Sequence, residues 1–83
     1  MSHGSHTDII KRLKRVEGHL RSVIAMIEEG RSCVDLAQQL HAVEAAVTSA
    51  KRELIHDHFE NCFDGDEATK ADLKEIKLLA KYL

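Results

Sequence analysis

From Cys33 to Asp64 the chain contains neither proline nor glycine. Within that run Leu36, Leu40, Val43, Val47, Ala50 and Leu54 recur at alternating steps of four and three, the period of one apolar helix face. The pattern continues through Ile55 and Phe59 to about Phe63, and Gly65 follows. At the other end, Ser32 with Asp35 three residues later resembles a capping box, with Asp in the usual Glu position. The run therefore predicts one helix of about 30 residues, roughly 45 Å long, against a globular mean of about 11–12 residues. A helix of that length needs something packed along it. Strand formers are sparse and the sequence holds no proline at all, so the fold class read here is all-α.

Two further helices flank the long one. Ile9, Ile10, Leu13, Val16, Leu20, Val23, Ile24 and Ile27 give a first helix, with Thr7 as N-cap and Gly30 as the stop. Gly18 lies inside it and suggests a close backbone approach. Residues 67–83, with Leu73, Ile76, Leu79, Ala80 and Leu83 on one stripe, give a short third helix. Residues 1–6 read as a flexible arm and residues 7–83 as a single domain. A chain of 83 residues buries little core alone, so oligomerisation is expected. No apolar run reaches the roughly 18 residues of a membrane span and no signal peptide is evident, which points to the cytoplasm.

The cysteines and histidines carry the chemistry. His58 and Cys62 are four apart, so on a helix they share a face and can grip one ion. By themselves they read equally well as a half-buried histidine beside a buried thiol. Cys33 alters that balance. It opens the same helix, about 37 Å from His58 if the helix is straight. One chain cannot close that gap, but two antiparallel copies can. Their crossing falls near Glu44-Ala45-Ala46-Val47, where small side chains allow close approach. A two-fold dimer then sets Cys33 of one protomer beside His58 and Cys62 of the other, twice over. Two thiolates and an imidazole suit Cu(I), and with added nitrogen donors Zn(II) or Ni(II). His3 and His6 are available as such donors, or belong to a mobile tail. His19, His41 and His56 read as surface or interhelix residues.

The net charge is -2, yet charge is unevenly placed. Lys11, Arg12, Lys14, Arg15 and Arg21 crowd the first helix and Lys51 and Arg52 the second, while acids gather between Asp57 and Glu75. Such a cluster is either a solvated helix face or a phosphate-binding surface. No helix-turn-helix or zinc-finger pattern accompanies it. Nor is there a nucleophile, base and acid set beyond the metal-ligand residues, so the chain does not read as an enzyme.

Four blocks together carry a resemblance. They are residues 12–20 (RLKRVEGHL), 33–35 (CVD), 38–43 (QQLHAV) and 56–62 (HDHFENC). Over about residues 7–83 the chain resembles the copper-sensitive operon repressor (CsoR) family, which also includes nickel/cobalt, formaldehyde and persulfide sensors. The resemblance implies a three-helix protomer with a long central helix. It implies an antiparallel helical-bundle dimer and a tetramer formed as a dimer of dimers. It implies a repressor that leaves its operator DNA on binding its effector. Cys33, His58 and Cys62 fall on the family's copper ligands. Arg12 and Arg52, with Lys14 and Arg15, fall on its DNA-contacting positions. Glu75 corresponds to an acid behind the metal site. Ser32 stands where copper-sensing members often have tyrosine.

The effector expected first is Cu(I), which two thiolates and one imidazole hold without a fourth ligand. Ni(II) or Co(II), with His3 or His6 as an added donor, is the runner-up. Formaldehyde sensing would use an N-terminal proline that the chain lacks, and persulfide sensing would leave His58 without a role. A metal-storage bundle with no DNA role is the reading from outside this class.

Overall fold

The structure is a computed structural model that describes residues 4–64 and 70–83, with side chains over 6–60 and 73–83. Three helices account for nearly all of it: α1 (Gly4–Glu28), α2 (Cys33–Asp64) and α3 (Lys70–Ala80). No strand occurs among the described residues.

Helix α2 starts where its capping signal places it. The Ser32 Oγ accepts a hydrogen bond from the Asp35 backbone N–H at 3.2 Å, which satisfies one of the first-turn donors. It runs unbroken for 32 residues, as a stretch without proline or glycine permits. The end of α1 is equally well defined. Gly30 takes a positive φ of 80°, its N–H reaches the Ile27 carbonyl at 3.0 Å, and the Arg31 N–H reaches the Met26 carbonyl at 3.1 Å. This pair of bonds is the Schellman closure, and the left-handed residue in it is a glycine because a Cβ there would be strained.

Three boundaries depart from the sequence reading. Helix α1 begins at Gly4 and not behind a Thr7 cap, so residues 4–6 belong to the helix and not to an arm. Helix α3 ends at Ala80 and not at Leu83, while its expected start at 67–69 lies outside the described residues. Gly18 has nothing within 4 Å of where its Cβ would stand, so no backbone crosses it within the protomer.

The α1–α2 hairpin forms the body. Ile9, Val16 and Val23 face α2 at seven-residue steps, and Leu36, Val43 and Ala50 face back at the same step. Val23 and Ala50 are the most completely enclosed of these, at 1% and 2% exposure. A fully buried Val or Ile stabilises by about 1.5–3 kcal/mol, and few here qualify. The other half of the apolar pattern faces outward. Leu13, Leu20 and Ile27 on α1, and Leu40, Val47 and Leu54 on α2, are each more than 40% exposed. The molecule is a slab of 55 × 24 × 13 Å, one helix thick in its shortest direction.

Candidate metal centre

The far end of the slab, where α3 returns, gathers three of the residues singled out above. His6 from the first turns of α1, His58 from α2 and Glu75 from α3 line one cleft of about 240 Å³, with Leu54, Ile55 and Leu79 as its apolar walls. His58 Nε2 lies 3.4 Å from Glu75 Oε1. At that distance the contact is long, and the buried Nε2 makes no hydrogen bond. A buried ring nitrogen left this way costs free energy unless something else takes its lone pair or proton. With Nε2 turned toward Glu75, the opposite ring nitrogen Nδ1 is the one left to donate to a metal ion.

Next to His58, Asp57 is buried at 6% exposure and its Oδ2 lies 3.0 Å from His6 Nε2. The contact sets the start of α1 against the α2 segment that carries His58. It is charge-assisted when His6 is protonated. Sequence spacing gave no hint of it, because the two residues belong to different helices. The early start of α1 at Gly4 is what carries His6 to that position.

Cys33 stands at the opposite end, as the first residue of α2, exposed and with a free thiol. The separation anticipated from the rise per residue is therefore present, since α2 is continuous from Cys33 past His58. Among the described residues no group of three or more His, Cys, Asp or Glu side chains converges to hold a metal within one protomer. Cys62 lies on α2 one helical turn beyond His58, with its side chain outside the described residues. His3 also lies outside them. Of the remaining histidines, His56 is exposed, His41 sits 3.8 Å from Glu44, and His19 bridges the helices through its Nε2, 2.6 Å from Gln39 Oε1.

The basic residues occupy the middle of the slab. Lys14, Arg15 and Arg52 are exposed. Arg12 is half exposed, with its Nη1 2.6 Å from Glu53 Oε2 on α2. Neither this cross-helix pair nor the His6–Asp57 pair was visible in the sequence, because each requires the register of α1 against α2.

These features define an all-helical protomer with an imidazole at one end of a long helix and a free thiol at the other. Residues 5–83 match the family described as metal-sensitive transcriptional repressor, and the chain belongs to that family. The family is one of repressors and not of enzymes. Similar proteins include the copper-sensing transcriptional repressor CsoR of Bacillus subtilis, 36% identical over 80 residues, covering 88% of this chain and 79% of that protein. The protein of that name from Mycobacterium tuberculosis is 41% identical over 54 residues, 65% of this chain and 45% of its own length. The copper-sensing repressor RicR of the same organism is 42% identical over 52 residues, 63% of this chain and 54% of its own. The chain thus spans about half the length of the mycobacterial relatives it matches. No solved structure matches it.

Proposed function

We propose that this chain is a copper-responsive transcriptional repressor of the cytoplasm, binding operator DNA when metal-free and releasing it when Cu(I) binds. The observation that carries the reading is the division of donors along α2. Cys33 and His58 lie on one unbroken helix, about 37 Å apart by its rise. Only a second protomer brings such donors together, and the naming of its relatives as copper sensors fits two thiolates with one imidazole.

In this reading Cys33 of one protomer joins His58 and Cys62 of the other. Cu(I) bound there would be held by the two soft thiolates and the imidazole. The chain's own residues do the rest. His58 offers its ring through Nδ1, since Nε2 faces Glu75. Glu75 orients the ring. The exposed strip of Leu13, Leu20, Ile27, Leu40, Val47 and Leu54 is the surface a second copy covers, two such dimers making the tetramer. Arg12, Lys14, Arg15 and Arg52 meet the phosphates of the operator.

One observation favours a second reading. His6 lines the same cleft as His58 and Glu75, and a nitrogen donor there supports Ni(II) or Co(II). The experiment that separates them starts with a duplex selected from a random-sequence pool by the metal-free protein. Release of that labelled duplex is then followed during titration with Cu(I) and, separately, with Ni(II) and Co(II). Release by Cu(I) at one equivalent per protomer, with a trigonal Cu(I)–thiolate absorption, is the expected result. Release by Ni(II) or Co(II) alone moves the assignment to the second reading. Failure to select any duplex refutes the repressor function.

A further inference from the structure

Halfway along the slab, α1 and α2 part to leave a cleft of about 330 Å³ lined by Arg12, Arg15, Val16, His19, Ala46 and Ser49. The spacing explains it. Residues 12, 15, 16 and 19 form one face of α1, and residues 46 and 49 with Glu53 form one face of α2. Ala46 and Ser49 are too short to fill the gap between the helices. Two cross-helix polar contacts bracket the opening. Arg12 Nη1 to Glu53 Oε2 at 2.6 Å closes one end, and His19 Nε2 to Gln39 Oε1 at 2.6 Å closes the other.

We infer that this cleft seats one backbone phosphate of the operator, and that Glu53 is a positioning residue that aims the Arg12 guanidinium into it. The inference rests on the repressor reading and goes beyond it by assigning the phosphate a place and two residues a role. Glu53 Oε2 is buried and Arg12 Nη1 is the cation beside it at 2.6 Å, which sets the guanidinium against the α2 side of the cleft. The contact occupies Arg12 Nη1 and leaves Nη2 and Nε, still in a planar fork, for a phosphate. Arg15 reaches the same cleft one turn along, and the exposed Ser49 supplies a hydroxyl donor on its α2 wall. A guanidinium already fixed by a carboxylate gives up less side-chain freedom on binding than a free one.

The direction of the effect separates this from simple charge attraction. Removing a carboxylate from a DNA-facing surface raises affinity if charge alone matters. A positioning role predicts the reverse. Affinity is read by fluorescence anisotropy on the selected duplex across a series of salt concentrations, with the full-length metal-free protein. Glu53→Ala should weaken binding about fivefold or more and flatten the salt dependence by about one released ion. Glu53→Gln, which keeps an oxygen of the same shape beside Arg12, should stay within about twofold of the parent. Tighter binding by Glu53→Ala overturns the inference.

Ser49→Glu keeps the Arg12–Glu53 pair and places a negative charge in the cleft, at an exposed position that tolerates substitution. It should lose about tenfold or more relative to Ser49→Gln, which has the same bulk without the charge. Equal binding by those two variants also overturns the inference, even if Glu53→Ala does not fold. Cu(I) stoichiometry should be unchanged in all four. If Arg12→Ala binds the duplex like the parent, it is the basic-face reading that fails. If Arg12→Ala weakens binding while the Ser49 and Glu53 variants do not, the cleft alone is refuted.

Discussion

The proposed split of the metal donors between two chains has a numerical consequence. Let one sample carry Cys33→Ala and a second carry His58→Ala with Cys62→Ala. Neither has a complete site, because Cys33 and His58 lie at opposite ends of the same continuous α2. Mixed in equal amounts and allowed to exchange, the subunits form about half mixed dimers. Each mixed dimer has one complete site of two, formed from Cys33 of one chain with His58 and Cys62 of the other. Tight Cu(I) binding should therefore return to about one quarter of the parent's capacity, from a baseline near zero in either sample alone. The assay is competition against a chromophoric Cu(I) chelator, with exchange verified by native mass spectrometry on isotopically labelled chains. A mixture that has exchanged and still binds no Cu(I) refutes the shared site. Full binding by either parent mutant refutes the ligand set itself.

Three further outcomes follow from the contacts. Glu75→Ala, which removes the carboxylate 3.4 Å from His58 Nε2, should keep most Cu(I) affinity but lose much of the metal-driven DNA release, read as the ratio of duplex affinities with and without Cu(I). Ile55→Ala empties a site only 3% exposed and should cost about 2–4 kcal/mol by denaturant unfolding at fixed protomer concentration. Ser32→Ala removes the oxygen that caps α2 at Asp35 and should cost about 1 kcal/mol by the same measurement.

The parts of the fold written locally were the legible ones. Ser32, Asp35 and an unbroken helical period define α2 to within a residue or two of its observed ends. The stop at Gly30 followed from glycine alone. Thr7 misled because a good capping residue is only a local preference. The helix continues to Gly4, and there His6 meets Asp57, a contact that sequence distance hides. The apolar stripe of α2 was read as one face. Packing divides it, with Leu36, Val43 and Ala50 against α1 and Leu40, Val47 and Leu54 outward. Gly18 was expected to mark a crossing and instead faces open space. At the metal centre, residue types and spacing proposed Cys33 and His58, while Glu75 came only with the family resemblance. Glu53 remained hidden, because a carboxylate on a charged helix has no signature until its partner's helix is laid against it.

The turn between α1 and α2 bears on how a signal could travel. It is only four residues long, Glu29 to Ser32, closed on one side by the Gly30 and Arg31 hydrogen bonds and on the other by the Ser32 cap. With so short a joint, and Arg12 beside Glu53 and His19 beside Gln39 across the helices, the hairpin is expected to tilt as a unit. The arginines stand near the middle of a body 55 Å long, so a tilt of roughly 10° about one end carries them through roughly 5 Å. That exceeds the reach of a hydrogen bond, about 3 Å. A force applied at Cys33 could therefore lift the arginines off a phosphate by leverage, without any helix melting or bending.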